Sequence, residues 1–93
     1  MEMKDIMIDT IEQMKMKPYD INNGNCDEFA QIICDRVEGA EIRATSIDDD
    51  FEGYRWVGHI WIEYQGRHYD AEHIEGAENF LDLPIFRRAE EVN

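Results

Sequence analysis

Residues 54–72 read YRWVGHIWIEYQGRHYDAE, and this stretch decides the fold. It is dense in aromatic and β-branched side chains, which favour extended strands. Its one turn signal is the pair Gln65 and Gly66, which divides the stretch into two halves. The sequence therefore predicts a β-hairpin whose antiparallel strands lie on either side of this pair.

The register of this hairpin decides which side chains meet. In a two-residue turn at Gln65 and Gly66, the strands pair with no extra residue between them. Trp61 then faces Asp70, and His59 becomes the diagonal neighbour of Asp70 on the same face, roughly 7 Å away at the backbone. A bulged turn would move Asp70 to the opposite face. Both registers are open from the sequence, and the first predicts an imidazole–carboxylate pair.

Two amphipathic helices are predicted before the hairpin. Apolar residues recur every three or four positions over residues 3–17, which predicts a core-facing helix stopped by the following proline. A turn is expected over residues 17–25, KPYDINNGN, because these residue types tolerate tight backbone. A second helix is predicted from Cys26, with Asn25 as its N-cap and Gly39 near its end.

The remaining patterns complete the predicted fold. Residues 40–47 alternate as a strand does, and the acidic residues 48–53 are typical of a loop. A short helical segment is expected over residues 77–81, followed by LPIF (83–86) against the core. The order helix, helix, strand, strand, strand predicts one α+β domain over residues 1–93. Its N-terminal helices should pack on one side of a small antiparallel sheet.

Composition limits the classes of partner. Ninety-three residues that are 43% hydrophobic suit one modest core. The formal net charge of -13 disfavours binding to nucleic acid or to an anionic membrane, because both attract cations. No apolar run approaches the roughly 18 residues of a membrane span, and acidic residues interrupt the N-terminus where a signal peptide would be apolar. We expect a cytoplasmic protein, and its oligomeric state is not predicted.

The two cysteines differ in position along the second helix. Eight residues of helix separate Cys26 from Cys34 by roughly 12 Å, which is beyond disulfide reach, so both should be free thiols. A thiol at a helix N-terminus has a lowered pKa, although Asp27 and Glu28 oppose this effect at Cys26. Cys34 fits a small buried side chain. Position therefore favours Cys26 as the reactive thiol.

A catalytic cysteine needs a histidine, and that histidine needs a third group to fix its tautomer. His59 and Asp70 are the pair that the hairpin register brings together. Trp61, on the same face, and His73, beyond the second strand, are candidates for substrate contact. The chain has no CxxC, no HExxH and no tight Cys/His spacing, so neither a metal site nor a cofactor is predicted.

Three motifs in order resemble a known family. They are NGNCDEFA (23–30), with a cysteine opening a helix, GHIWIEY (58–64), with a histidine entering a strand, and GRHYDAE (66–72), with an aspartate on the next strand. This order resembles the papain-like cysteine protease and transglutaminase-like superfamily, above all its small phage and bacterial members. The resemblance covers residues 22–88.

The resemblance implies a papain-like or transglutaminase-like core, in which a helix carrying the nucleophile packs on a sheet carrying the other two groups. Cys26 would be the nucleophile, His59 the general acid/base and Asp70 the orienting acid of a catalytic triad. The substrate would be an amide or ester of a protein or peptide, processed as a thioester. Peptidase, amidase and transglutaminase-like activities all remain open.

The resemblance also requires an oxyanion hole. The backbone amide of Cys26 would supply one donor. Papain-like proteases place a glutamine shortly before the cysteine, and this chain has none there. Asn22, Asn23 and Asn25 are the candidates to replace it.

A second hypothesis belongs to another class. The strongly acidic composition suits a non-catalytic interaction protein, such as a phage-type inhibitor that imitates nucleic acid and occupies a basic groove. Against this, the acidic residues are spread along the chain without an evident stripe. Substitution of Cys26 would distinguish the two hypotheses, because only the enzyme requires its thiol.

Overall fold

The structure, a computed structural model, describes residues 2–45 and 58–92. Its elements in chain order are α1 (Met3–Met14), α2 (Pro18–Asn22), α3 (Cys26–Arg36), β1 (Glu41–Thr45), β2 (His59–Tyr64), β3 (Arg67–Asp70), β4 (His73–Ala77), a 3₁₀ turn (Phe80–Asp82) and α4 (Pro84–Val92). The four strands form one antiparallel sheet in the order β1-β2-β3-β4. The predicted α+β fold, with N-terminal helices on an antiparallel sheet, is confirmed. The loop predicted over residues 48–53 lies outside the described residues.

The hairpin adopts the two-residue turn. Gln65 and Gly66 both have positive φ, 50° and 77°, as the twist-matched turn of a tight hairpin requires. Tyr64 pairs with Arg67, and the register continues two residues further to Ile62 and Tyr69. The bulged alternative is therefore wrong, and Asp70 lies on the same face of the sheet as His59.

The N-terminal helices cover one face of the sheet. Phe29, Ala30 and Ile33 of α3 are buried with Ile62 and Tyr69 of the hairpin. The α1 residues in this cluster are Met3, Ile6 and Met7. Both predicted stripes therefore face the core, as expected from their helical spacing.

Two predictions about the N-terminal half need correction. Helix α1 ends at Met14, three residues before the predicted limit, because Lys15 takes the left-handed conformation with φ 56°. The segment predicted as a turn contains α2, a helix of five residues. Pro18 occupies its first position, where a missing N–H costs nothing, and Ile21 anchors it in the core.

The C-terminal half departs further from the prediction. The expected helix over residues 77–81 is wrong, because β4 runs to Ala77 and the 3₁₀ turn begins at Phe80. Gly76 makes the strand possible: a Cβ atom there would lie 2.7 Å from the ring of Tyr69. A glycine within a strand is a weak β signal, which explains the error.

The second face of the sheet is also covered. Leu83 and Phe86, from the LPIF segment, are fully buried against Trp61 and Ala77. The segment lies against the core as predicted, but its last three residues begin α4, and it sits opposite the N-terminal helices. Helices therefore cover both faces of the hairpin instead of one. None of the described helices combines the length and the apolar character needed to cross a bilayer.

Candidate catalytic site

His59 and Asp70 form a buried pair. Nε2 of His59 lies 2.9 Å from Oδ2 of Asp70, and the two residues are 2% and 1% exposed. An ionised carboxylate only accepts hydrogen bonds, so Nε2 carries the proton and donates it. The diagonal contact expected from the hairpin register is therefore present, and it fixes the tautomer of the imidazole.

The second oxygen of Asp70 is also held. Its Oδ1 accepts a hydrogen bond of 2.9 Å from the backbone N–H of Glu72, in the turn that joins β3 to β4. An aspartate that bonds the N–H two residues ahead is typical of such turns. Both carboxylate oxygens are thus engaged, so Asp70 has little freedom to rotate away from His59.

Cys26 lies at the other side of the imidazole. It is the first residue of α3, it is half-buried, and it is a free thiol like Cys34. Nδ1 of His59 is buried and makes no regular hydrogen bond with any described residue. The thiol–imidazole contact is therefore looser than a formed hydrogen bond, as catalytic contacts often are before substrate binds. Because Asp70 occupies Nε2, Nδ1 is the nitrogen available to Cys26.

The pKa of the Cys26 thiol is lowered from its ordinary value of 9.0. The largest cause is the interaction with His59, and burial acts in the opposite direction. The backbone N–H of Ile60 and the charge on His59 lower the pKa further, while Asp27 raises it by a smaller amount. The imidazole of His59 therefore lowers the pKa of Cys26 more than the neighbouring carboxylate of Asp27 raises it.

The pKa of His59 is raised from its ordinary value of 6.5. Burial is the largest single influence and lowers it, but the hydrogen bond with Asp70, the interaction with the Cys26 thiol and the charges of both groups together outweigh that penalty. The two shifts have the directions that favour a thiolate beside an imidazolium.

Aromatic rings enclose His59. The Trp61 ring lies nearly parallel to it, with centroids 6.1 Å apart, and Phe86 meets it edge-on at 5.8 Å. Phe80 stacks on the far side of Trp61 at 5.1 Å. This apolar wall lowers the local dielectric, which strengthens the hydrogen bond between His59 and Asp70.

The substrate-contact candidates lie at different depths. Trp61 is 4% exposed, and its Nε1 donates to Nδ1 of His68 at 3.0 Å. Its ring lies between those of His59 and Phe80, so Trp61 offers little surface to a substrate. His73 is half-buried at the start of β4, opposite Asp70, and its Nδ1 has no hydrogen-bond partner among the described residues. Their roles as substrate contacts stay predictions.

The three asparagines occupy different environments. Asn22 is buried and donates to Glu72 at 2.8 Å, and Asn23 turns back to the carbonyl oxygen of Tyr19 at 2.8 Å. Asn25 is the N-cap residue of α3, but its side chain makes no capping hydrogen bond. The amide of Asn25 is therefore not committed to capping α3, and the role of each asparagine as an oxyanion donor stays a prediction.

Sequence reasoning missed an ion pair behind Asp70. Arg88 binds both oxygens of Glu72, at 2.9 and 2.8 Å. The sequence places Arg88 in a segment that reads as a charged tail, and without α4 no pattern connects it to Glu72. The two residues lie 16 positions apart, beyond the range of any local pattern.

Among the described residues, no three His, Cys, Asp or Glu side chains group closely enough to hold a metal ion. Comparison of the chain with models of protein families, with curated proteins and with solved structures gave no match. The resemblance to papain-like proteins therefore stays a hypothesis based on the motifs.

Proposed function

We propose that the protein is a small cysteine hydrolase or acyl-transferase with a reduced papain-like or transglutaminase-like core. Its substrate is an amide or ester of a protein or peptide, and Cys26, His59 and Asp70 are its triad. One observation carries the proposal: the thiol that opens α3 interacts with an imidazole whose other nitrogen is bonded to a buried carboxylate. Such an arrangement activates a thiol for nucleophilic attack.

In the first half-reaction, the Cys26 thiolate attacks the carbonyl carbon of the substrate and a C–S bond forms. The carbonyl oxygen becomes an oxyanion, which in this proposal the backbone N–H of Cys26 and the side chain of Asn25 stabilise. His59 then gives its Nδ1 proton to the leaving amine or alcohol as the old bond breaks. The product is a thioester on Cys26, with His59 neutral and still bonded to Asp70.

In the second half-reaction, the neutral Nδ1 of His59 takes a proton from an incoming nucleophile. Attack on the thioester releases the Cys26 thiolate and restores the imidazolium. Water as the nucleophile gives hydrolysis, and an amine gives acyl transfer. Asp70 stays charged throughout and stabilises the imidazolium each time it forms.

The proposal is tested with an activated ester. Incubation with p-nitrophenyl acetate should acetylate Cys26, with one nitrophenolate released per thioester formed and a matching increase in intact mass. Peptide mapping should place the acetyl group on Cys26 and not on Cys34. Cys26→Ser should lose the adduct, while the matched variant Cys34→Ser should keep it.

The fate of the adduct then separates hydrolysis from transfer. Added glycinamide should shorten the lifetime of the thioester if amines are accepted, and leave it unchanged if water is preferred. Equal acetylation of Cys26 and Cys34 would refute the proposal, because an activated thiol must react faster than its neighbour on the same helix.

A further inference from the structure

A charged pair lies directly behind the candidate triad. Arg88, on α4, grips the carboxylate of Glu72 with two hydrogen bonds of 2.8 and 2.9 Å. Asn22, at the end of α2, adds a third bond of 2.8 Å to the same carboxylate. We call Glu72, Arg88 and Asn22 the strap. Two-pronged guanidinium–carboxylate pairs fix orientation as well as distance, so the strap ties three elements together.

One end of the strap holds Asp70. The backbone N–H of Glu72 donates to Oδ1 of Asp70, while Oδ2 binds His59. The side chain of Glu72 is 15% exposed and is fixed by Arg88, so the backbone of this turn cannot easily reorient. Clamping the side chain of Glu72 therefore fixes the N–H that orients Asp70.

The other end holds the segment that leads into Cys26. Asn22 is buried, and the guanidinium of Arg88 also lies 4.9 Å above the ring of Tyr19, a cation–π contact on the same short helix. A helix of five residues gains little stability of its own, so external contacts must hold it. The chain reaches Cys26 four residues after Asn22.

The charges around the strap keep it ionised. Burial raises the pKa of Glu72, but hydrogen bonds from Arg88 and Asn22 and the charge of His59 lower it overall. The pKa of Arg88 is raised from its ordinary value, chiefly by its hydrogen bond to Glu72 and also by the charges of Glu72, Tyr19 and Asp70. The carboxylate therefore stays charged at neutral pH and keeps its grip on the guanidinium.

We infer that Glu72 and Arg88 are positioning residues, which together hold Asp70 and Cys26 on opposite sides of His59. The catalytic meaning of this inference rests on the proposed function. The positioning of Asp70 and Cys26 can be tested without a known substrate, because the rate at which Cys26 reacts with a simple alkylating reagent depends on the same alignment.

The test uses the full chain carrying Cys34→Ser, so that iodoacetamide reports Cys26 alone between pH 5 and pH 10. Arg88→Met should shift the midpoint of the rate profile to higher pH. A shift of about one unit lowers the thiolate fraction tenfold near pH 6, while the more basic thiolate is about threefold more nucleophilic. The expected net loss in rate is therefore about threefold.

Two further variants separate positioning from loss of charge. Arg87→Met removes a cation from the position just before Arg88, where Arg87 pairs with Asp82 on the surface. This substitution should leave the pH profile of the alkylation rate unchanged. Arg88→Lys keeps the charge but not the two-pronged geometry, so its midpoint should lie between those of the parent and Arg88→Met. If Arg88→Met does not fold by circular dichroism, Arg88→Lys carries the test.

Each outcome decides the matter. Suppose that the parent has a lowered midpoint and that folded Arg88→Met has the same one. That result would overturn the strap and leave the proposed function standing. If Arg88→Met does not fold, an unchanged midpoint in Arg88→Lys has the same meaning. Equal shifts in Arg87→Met and Arg88→Met would reduce the effect to net charge and overturn the strap as well. An ordinary thiol profile in the parent would overturn the proposed function itself, and the strap with it.

Discussion

Cys26 and Cys34 lie eight residues apart on α3, and an aspartate follows each of them. Their thiols nevertheless shift in opposite directions. The pKa of Cys26 is lowered, chiefly by His59, whereas that of Cys34 is raised, first by burial and then by the charges of Asp35 and Glu41. The same residue type in the same local sequence has two different chemistries.

This difference identifies the main cause of the lowered pKa of Cys26. A helix N-terminus favours a thiolate, but the largest cause of the lowered pKa is His59, which lies 33 positions later in the sequence. Cys34 has an aspartate beside it and no imidazole, so its environment disfavours the charge. The lowered pKa of Cys26 therefore depends on the contact between α3 and β2.

The largest expected effect comes from removing that contact. His59→Ala should lower the alkylation rate of Cys26 near pH 6.5 by about tenfold or more, because the thiol loses the main cause of its lowered pKa. Cys34 in the same molecule should react as before. Peptide mapping after a brief pulse of iodoacetamide measures both sites in one sample.

His68→Ala is the matched control for this substitution. His68 lies on the same face of the hairpin and bonds to Trp61, but it has no part in the environment of either thiol. Loss of the His68 side chain should change both alkylation rates by less than about twofold, because a partly exposed group that contacts neither thiol has little effect on their pKa values. If the two histidine variants slowed Cys26 equally, loss of packing would explain the result and the comparison would fail.

The contact between His59 and Asp70 was only partly predictable from the sequence, because a bulged turn at Gly66 was also open. Gln65 and Gly66 fix a two-residue turn, and strict alternation along the strands then places His59 and Asp70 on one face. Asn25 and Cys26 begin α3 where the helical pattern begins. Short-range patterns therefore narrowed the hairpin to two registers and singled out Cys26, and the structure distinguishes the registers.

The surroundings of the site were not predictable in the same way. Strand β4 contains Gly76, which is needed there because the ring of Tyr69 leaves no room for a Cβ atom. Arg88 reaches Glu72 only because α4 folds back over the second face of the sheet. These are long-range contacts between segments with weak local signals, so a single sequence carries little information about them.

A smaller effect should come from the two aspartates that follow the cysteines. Asp27→Asn should lower the pKa of Cys26 further and raise its alkylation rate near pH 6 by about twofold, because a neighbouring negative charge opposes the thiolate. Asp35→Asn should do the same for Cys34 near pH 8. Each substitution should leave the other cysteine unchanged, and a rise at both sites would indicate a general effect of net charge.

The smallest effect appears in the dependence of stability on pH. Cys26 has a folded pKa below 9.0, so its thiolate stabilises the fold fully above that pH and loses this contribution as pH falls through the folded value. Cys34 has a folded pKa above 9.0, so it contributes no slope below pH 9 and destabilises the fold above it. His59 acts in the opposite sense, because its raised pKa makes stability fall as pH rises above 6.5.

Comparison of the wild type with a serine variant removes the contributions to the free energy of unfolding that do not depend on the substituted thiol. Urea unfolding between pH 6.5 and pH 9 should show the free energy of unfolding of the wild type rising relative to Cys26→Ser. The rise should be a few tenths of a kcal/mol, because solvent screens a half-buried thiol. The difference between the wild type and Cys34→Ser should stay flat over the same range. If the free energies of unfolding of the two serine variants changed with pH in parallel, folding would not distinguish the two thiols. The contrast between Cys26 and Cys34 would then have no thermodynamic basis.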